Sequence, residues 1–178
     1  NENINFANRL DFETSGLVIG CKNLKFLRYI SQKIRDNEIQ KKYFAIVHNI
    51  KNNIESKIFK IENYLTTTEN KVIVSENPIS KDSKKSITNF KKIEISELKN
   101  TKKILDLLGK NNKNVFLLDV DLVTGRKHQI RAQLAHQKIP IVGDKKYGIQ
   151  DGSNKFFLCC YFLSFDNYKF SILNKVFL

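Results

Sequence analysis

The sequence is poor in the residues that mark specialised architectures. Its three cysteines, Cys21, Cys159 and Cys160, cannot close a disulfide framework, so we expect a reducing compartment, the cytoplasm. Seven glycines and two prolines exclude collagen-like and low-complexity chains. No apolar run approaches the roughly 20 residues of a membrane span, and no segment reads as a signal peptide, so no membrane partner is expected. Methionine is absent and the chain opens on Asn1, which predicts a fragment of a longer protein.

Acidic residues are scarce relative to basic ones. The 31 Lys+Arg against 18 Asp+Glu leave a formal net charge of +13, which attracts polyanions such as RNA and DNA. A chain rich in Lys, Asn and Ile can also acquire lysines by compositional drift, without any partner. The five arginines are more informative, because Arg persists where a planar set of donors is needed. Three of them, Arg9, Arg126 and Arg131, lie in two short polar motifs.

Hydropathy patterns predict one domain of mixed secondary structure. Hydrophobic residues make up 41% of the 178 positions, which is enough for one buried core. Strand patterns dominate and helical patterns are few, so we expect an α+β fold with a largely antiparallel mixed sheet. Helices are predicted over 24–37 after an Asn23 cap, within 97–114 and over 126–137. Strands are predicted from about Leu17 and over 39–48, 54–62, 71–76, 84–95, 115–123, 156–165 and 168–177, with a hairpin turn at Asp166-Asn167.

The first polar motif is Asn8-Arg9-Leu10-Asp11, followed by Thr14-Ser15-Gly16. An Arg two positions from an Asp, beside a glycine turn, can place an ionised carboxylate in a cleft, where it acts as nucleophile or base. An Asp in a turn before a strand is more often a local hydrogen-bonding device, so both readings stand. A carboxylate pair with Glu13, of the kind that glycoside hydrolases use, is a third reading.

The second polar motif runs from Thr124 to Arg131, where a strong strand pattern gives way to a helical one. We expect Arg126 and Lys127 in the first turn of this helix, where backbone N–H groups already favour phosphate. Arg131 lies five positions past Arg126, so it faces another side and can point into a cleft. A solvated basic face, with His128 buried and held by one hydrogen bond, is the plain alternative.

The sequence does not contain the motifs of several other common functional sites. The cysteines contain no C-x-x-C pair and the three histidines are scattered, so a structural zinc site is not indicated. Walker A, G-x-G-x-x-G and G-x-S-x-G patterns do not occur, which leaves nucleotide-using and serine-hydrolase chemistry unsupported. Tyr43 follows Lys41 on a predicted strand and is either a core residue or a ring that stacks on a base.

Three ordered motifs resemble those of the large-subunit rRNA pseudouridine synthases of the RluA/RluD type, and the match runs from Arg9 to about Phe165. Asn8 and Gln133 stand where that family usually has His, and Leu158-Cys159-Cys160 where it often has Leu-His-Ala. The motifs are Arg9-Leu10-Asp11-x-x-Thr14-Ser15-Gly16-Leu17, Lys41-x-Tyr43-x-Ala45-x-Val47 and Thr124-Gly125-Arg126-x-His128-Gln129-Ile130-Arg131; Lys84-Lys85-Ser86-x-Thr88 and Pro140-Ile141-x-Gly143-Asp144-x-x-Tyr147-Gly148 agree in order.

The resemblance implies an isomerase that flips a uridine out of RNA and rejoins the base through C5, without cofactor or metal. It implies that Asp11 acts at the ribose, by attack on C1′ or by removal of the C2′ proton, and both routes stay open. Tyr43 would stack on the base and help remove the C5 proton. Arg131 would pair with Asp11 and keep it ionised and oriented, and Arg131→Lys should impair activity because bidentate geometry is lost.

The resemblance also implies RNA contacts and partners. The expected substrate is rRNA, with 23S rRNA first, or tRNA, and a monomer is expected. Residues 1–178 would form the catalytic domain, without the N-terminal strands and S4 domain that the family carries before its aspartate motif. A non-catalytic RNA-binding or ribosome-assembly module with the same basic cleft is the alternative function. The expected RNA-binding residues are Arg9, Arg126, Lys127, His128, Ile130 and Lys41.

Overall fold

The computed structural model describes residues 4–50, 56–95, 101–109 and 114–172. These ranges contain three α-helices and ten β-strands, in the α+β arrangement that the hydropathy patterns predict. The elements in chain order are β1 (Asn5–Phe6), β2 (Ser15–Gly16), β3 (Gly20–Cys21), α1 (Leu24–Arg35), β4 (Gln40–His48), β5 (Ile58–Thr67), β6 (Val72–Ser75), β7 (Lys84–Ile93), α2 (Thr101–Leu108), β8 (Val115–Leu122), α3 (Gln129–His136), β9 (Leu158–Phe165) and β10 (Tyr168–Ser171).

One large sheet organises the chain. Its strands lie in the order β10-β9-β4-β8-β7-β5-β6, and every pair in this series is antiparallel. The short strand β2 joins β9 in parallel, so the sheet is mixed, and β1 pairs with β3 in a separate two-stranded ribbon. The central strands β4, β8 and β9 are buried along most of their length. Strand β9 is almost continuously apolar, whereas the exposed or half-buried positions of β4 and β8 include Lys41, Lys42, Asp119 and Asp121.

Helix α1 follows its sequence signals closely. The Asn23 side chain accepts a hydrogen bond of 2.9 Å from the backbone N–H of Phe26, which satisfies one free donor of the first turn. Ile30 is fully buried, and Leu27 and Ile34 pack partly against the same core, so the i, i+3, i+7 stripe faces inward as predicted. The confirmed helix ends at Arg35, two residues before the predicted boundary.

Several predicted boundaries were displaced. The strand expected from Leu17 is wrong in detail, because pairing occurs at Ser15–Gly16 and again at Gly20–Cys21. The strand predicted over 54–62 begins at Ile58 and continues to Thr67, beyond its predicted end. The predicted hairpin at Asp166-Asn167 is confirmed, and Asp166 has a φ of 49°, as a two-residue hairpin loop requires. Parts of three predicted elements, at 54–55, 97–100 with 110–113, and 173–177, lie outside the described residues.

Helix α3 starts later than the sequence predicts. Arg126 and Lys127 were expected in its first turn, but the helix begins at Gln129, because His128 adopts a left-handed conformation with φ of 52°. The two cations therefore lie on the turn between β8 and α3. All residues from Gln129 to Leu134 are buried, so this short helix is enclosed by the rest of the fold. Within the described residues, no helix is both long and apolar enough to cross a membrane.

Candidate active site

A cavity of about 390 Å³ opens where the first polar motif, strand β4 and the β8–α3 turn meet. All nine residues singled out from the sequence lie on its wall, although they come from distant parts of the chain. The structure thus brings the predicted site residues together, while their chemical roles remain predictions. The lining residues are Arg9, Leu10, Asp11, Thr14, Lys41, Tyr43, Leu122, Gly125, Arg126, Lys127, His128, Gln129, Ile130, Arg131 and Leu158.

The turn that carries Asp11 is fixed to the large sheet. The backbone N–H of Thr14 donates to the Asp11 carbonyl at 2.9 Å, and β2 then runs beside β9. Gly16 has a φ of 120°, and a Cβ there would lie 2.2 Å from the Cys160 carbonyl oxygen, so only glycine allows this close approach. Asn8 braces the same turn, because its side-chain oxygen accepts from the Ile19 N–H at 2.7 Å. Asp11 is therefore held at the wall of the cavity by backbone pairing on both sides.

The Arg131 guanidinium joins two carboxylates. Its Nη1 donates to Asp11 Oδ2 at 3.3 Å. Its Nε donates to Asp144 Oδ2 and its Nη2 to Asp144 Oδ1, both at 2.8 Å. The expected contact between Arg131 and Asp11 is present, but the expectation that their pairing is the bidentate one is wrong. The bidentate partner is Asp144, because its two oxygens match the planar fork and it lies on the loop directly beside α3.

Asp144 is the residue that the sequence reasoning missed. It is only 1% exposed, and one of its oxygens also accepts from the backbone N–H groups of Lys146 and Tyr147 at 2.9 and 3.0 Å. Burial raises the pKa of the Asp144 carboxyl, but Arg131 and these two N–H groups lower it further, so the net pKa lies below its usual value. The signal available in the sequence was the Gly143-Asp144-x-x-Tyr147-Gly148 segment, which matched the family without suggesting a role.

Two aromatic rings, of Tyr147 and Phe156, pack near the guanidinium of Arg131. The guanidinium carbon lies 5.3 Å from the centre of the Tyr147 ring and 5.0 Å from that of Phe156. The side chain is 6% exposed, with its three nitrogens committed to Asp11 and Asp144. A cation held by two carboxylates in this way has little freedom to swing toward a phosphate, and it stays beside the Asp11 carboxylate.

His128 borders Asp11 on the other side. Its Nε2 lies 3.9 Å from Asp11 Oδ1, and its Nδ1 forms a hydrogen bond of 2.8 Å with the Tyr147 hydroxyl. Burial lowers the pKa of the His128 imidazole below its usual value, although the nearby Asp11 charge opposes the shift. The lowered pKa favours the neutral imidazole, so His128 adds little positive charge to this wall of the cavity.

Tyr43 lies on the sheet side of the cavity and is 8% exposed. Burial raises the pKa of its phenol well above 10, and the neighbouring Cys160 and Asp11 add to the shift. The phenol thus remains protonated at physiological pH. Its ring and hydroxyl form part of the cavity wall, and the expected roles of Tyr43 in stacking and in removal of a proton stay predictions.

The remaining lining residues divide into exposed cations and apolar or half-buried groups. Arg9, Arg126 and Lys127 are exposed at the cavity mouth, where they can meet phosphates without losing much hydration. Ile130 is buried in the wall, and Lys41 is half-buried. Part of the positive charge predicted from the composition thus lies at the rim of the same cavity that holds Asp11.

A buried hydrogen-bond network ties α3 to the sheet and was not anticipated. Gln129 accepts from the Arg126 N–H at 3.0 Å and donates to the Thr88 hydroxyl at 2.8 Å, which fixes the β8–α3 turn against β7. Gln133 accepts from Thr88 at 2.6 Å and donates to Asn63 on β5 at 3.0 Å. The network explains why amides occupy buried helical positions, since the side-chain oxygen and nitrogen of both Gln129 and Gln133 find partners on the sheet or the turn.

Replacement of Gln133 by Leu tests this network. The side chain is fully buried, and its loss leaves groups on Asn63 and Thr88 without their amide partner. We expect the free energy of unfolding to fall by about 2–3 kcal/mol, because buried polar groups left unpaired cost their desolvation. Chemical denaturation measures this change. Gln150→Leu, the same replacement at an exposed position, serves as the matched control. An equal loss in both variants would contradict the role of the network.

The described residues contain no group of three or more His, Cys, Asp and Glu side chains arranged to hold a metal ion. The carboxylate-pair reading finds no geometric support, because Glu13 turns to Lys145, with 3.8 Å between Oε1 and Nζ, and is not among the lining residues. Asp11 is accordingly the carboxylate that the cavity presents to a bound molecule, with Asp144 enclosed behind Arg131.

Comparison with known proteins gives consistent matches. The family model described as RNA pseudouridylate synthase matches residues 1–136. A ribosomal large subunit pseudouridine synthase C from Buchnera aphidicola is 37% identical over 150 residues, covering 84% of this chain and 42% of that protein. A ribosomal large subunit pseudouridine synthase D from Borreliella burgdorferi is 33% identical, covering 84% of this chain and 40% of that protein. The chain thus spans about two fifths of the length of these relatives.

Solved structures show the same fold at lower sequence identity. Human RNA Pseudouridylate Synthase Domain Containing 1 superposes with a TM-score of 0.73 at 18% identity, covering 96% of this chain and 68% of that one. Human RNA Pseudouridylate Synthase Domain Containing 4 gives a TM-score of 0.69 at 15% identity, covering 95% of this chain and 70% of that one. The largely antiparallel mixed sheet predicted from the sequence is therefore a fold shared with these domains.

Proposed function

Because the chain belongs to the RNA pseudouridylate synthase family, we propose that it isomerises uridine to pseudouridine in RNA. One observation carries the proposal: Asp11, Tyr43 and Arg131, which match the family's motif residues, lie together on the wall of one cation-rimmed cavity. A single ionised carboxylate beside a buried arginine suits a reaction at the ribose carbon, where positive charge develops as the glycosidic bond breaks.

The proposed reaction begins with a uridine leaving its stack and entering the cavity, with the phosphates beside it held by Arg9, Arg126 and Lys127. Asp11 then acts at the ribose, either by attack on C1′ or by removal of the C2′ proton. Arg131 keeps the carboxylate aimed at the sugar. The neutral Tyr43 ring packs on the uracil while the detached base turns and forms its new bond through C5. The residues present can complete this isomerisation without an added redox group or nucleotide.

The substrate that we propose is ribosomal RNA, with 23S rRNA first and tRNA as the alternative, because the relatives at 37% and 33% identity are named for the ribosomal large subunit. We further propose that the protein works as a monomer in the cytoplasm. The three cysteines are buried and free, which suits a reducing compartment.

The test is turnover by the full-length protein on RNA that carries tritium at C5 of its uridines. The new C5–C1′ bond displaces that hydrogen, so each turnover releases tritium to water and leaves no free uracil. Transcripts of 23S rRNA segments and of tRNAs distinguish the two substrate classes. Free uracil would indicate a hydrolase, and tight RNA binding without tritium release would indicate a non-catalytic RNA-binding module. Either result would overturn the proposal.

A further inference from the structure

Lys41 occupies an unusual place in the cavity. It lies on β4 two residues before Tyr43, so both side chains leave the same face of the strand and line the cavity. Its Nζ comes within 3.1 Å of the position that a Cβ on Gly125 would take. The ammonium group therefore reaches the β8–α3 turn at Gly125, and the side chain is half-buried, unlike the exposed cations of that turn.

The ammonium group of Lys41 has no acidic partner in the described part of the chain. Two influences act on the pKa of Lys41, namely the burial of its side chain and the nearby thiol of Cys160. Burial lowers the pKa of the Lys41 ammonium, and Cys160 opposes the shift only in part. A half-buried cation without a carboxylate partner loses part of its hydration, which costs free energy. An anion or a carbonyl oxygen in the cavity would offset this loss by accepting hydrogen bonds from the ammonium group.

The other cations of the cavity wall are engaged, uncharged or exposed at its mouth, where Arg9 and Lys127 also lie. Arg131 is committed to Asp11 and Asp144, and the lowered pKa of His128 favours its neutral form. Arg126 donates from its Nε to the Lys85 carbonyl at 3.2 Å and is exposed. Lys41 is thus the positive charge that borders the interior of the cavity with its donors unused by the described residues.

We propose that Lys41 binds a carbonyl oxygen of the flipped uracil and stabilises the anion that the base becomes when its bond to the ribose breaks. This role of Lys41 rests on the proposed function. The sequence predicted only that Lys41 contacts RNA, whereas here it acts on the base during the reaction. The interaction strengthens as negative charge grows on the base, so it lowers the barrier rather than merely holding the substrate.

The charge on the base follows from the bonds that change. When the C1′–N1 bond breaks, its electron pair stays with N1, and the negative charge spreads to O2 and O4. On the sugar, C1′ either bonds to Asp11 or is relieved of charge as Asp11 takes the C2′ proton. The anion then supplies the electrons of the C5–C1′ bond. As this bond forms, either the bond between C1′ and Asp11 breaks, or Asp11 returns its proton to C2′. The C5 hydrogen finally leaves to water as a proton, and N1 takes a proton from water. Lys41 transfers no proton in this sequence.

The experiment compares wild type, Lys41→Met, Lys41→Arg and Lys127→Met as full-length proteins in single turnover with saturating RNA. We expect Lys41→Met to lower the rate about 100-fold, as loss of one preorganised donor does, with the dissociation constant of the RNA within about threefold. Lys127→Met should instead weaken binding and reduce its salt dependence, as loss of a phosphate contact does. Lys41→Arg should recover part of the rate because it restores the charge.

A substrate with 5-fluorouridine at the target separates charge stabilisation from simple positioning. Fluorine withdraws electrons and already stabilises the uracil anion, so the rate loss of Lys41→Met should be clearly smaller on this RNA. Consumption of the starting nucleoside, measured after nuclease digestion, reports the cleavage step. Lys169→Met on the exposed strand β10 controls for the removal of a lysine, and thermal unfolding checks that each variant is folded.

Each outcome decides the inference. An equal rate loss on uridine and 5-fluorouridine RNA, a wild-type rate, or a change confined to binding and its salt dependence would overturn the assignment of Lys41 to the base. In each of these cases wild-type turnover would leave the proposed function intact. Absence of tritium release from wild type itself would overturn the proposed function, and the assignment of Lys41 with it.

Discussion

Replacement of Asp11 by Asn should abolish isomerisation while leaving the protein folded and able to bind RNA. We expect a rate loss of about 10⁴-fold or more, because removing the group that attacks or deprotonates the sugar costs about this much in enzymes of this kind. Asn keeps the size of the side chain and can still accept from Arg131 Nη1, which lies 3.3 Å from the Asp11 carboxylate. The loss of rate would therefore result from the missing carboxylate charge and not from a collapsed cavity.

Release of tritium from C5 measures the rate, and a filter-binding titration measures RNA affinity in parallel. Glu13→Gln is the matched control, since it removes a carboxylate two residues away that faces Lys145 and does not line the cavity. In cells, the Asp11→Asn full-length protein as sole copy should leave its target uridine unmodified. An unchanged pseudouridine map would contradict the assignment of Asp11, and equal losses in both variants would point to a general effect of charge.

The sequence predicted the parts of this site that are encoded locally. Helix α1 was predicted well because its Asn23 cap and apolar stripe are properties of neighbouring residues. The position of Asp11 followed from a short motif whose turn is closed by its own backbone, with Thr14 donating to the Asp11 carbonyl. In both cases the information lies within a few residues, so no knowledge of the rest of the chain was needed.

The start of α3 could not be predicted because tertiary contacts decide it. Arg126 and Lys127 carry no helix-breaking signal, and neither does His128, which nevertheless adopts a left-handed conformation. Its ring is held there by the hydroxyl of Tyr147, which reaches it from a loop 19 residues further along. Since that loop is placed by the fold, a local pattern could not reveal where the helix begins.

The bidentate partner of Arg131 was missed for a related reason. The loop that carries Asp144 depends on Gly143, whose φ is 77° and whose N–H donates to Asp151 at 2.8 Å. Asp151 in turn contacts His48 Nε2 on β4 at 2.8 Å. The position of Asp144 beside Arg131 thus rests on contacts that span more than a hundred residues, and an acidic residue in a loop gave no indication of its burial.

Replacement of Asp144 by Asn should produce the largest loss of stability in this chain. The carboxylate is buried, meets two nitrogens of Arg131 and accepts from two backbone N–H groups. An amide presents one oxygen and one donor to these donors, so Arg131 would be left in the interior without its charge partner. We expect the free energy of unfolding to fall by about 3–5 kcal/mol, as in other broken buried pairs.

The double variant Arg131→Gln with Asp144→Asn separates stability from catalysis. With no uncompensated charge left inside, it should regain part of the stability that Asp144→Asn loses. It should remain inactive, because Asp11 then lacks the guanidinium that orients it. Urea denaturation and tritium release are measured on wild type, Asp144→Asn, Arg131→Gln and the double variant. Additive stability losses, or activity in the double variant, would contradict the coupling of Asp144 through Arg131 to Asp11.

The acid dependence of stability offers an independent check on Asp144. Its folded-state pKa lies below the usual value, whereas the unfolded chain titrates near pH 3.9. The stability that this shift contributes is therefore fully present above about pH 5, and it is lost as the pH falls through the folded-state pKa. The difference in unfolding free energy between wild type and Asp144→Asn should hold constant from pH 7 to pH 5 and shrink below pH 4. A difference that stays constant at acid pH would mean that the ion pair with Arg131 does not stabilise the fold, and that shape alone holds the arginine against Asp11.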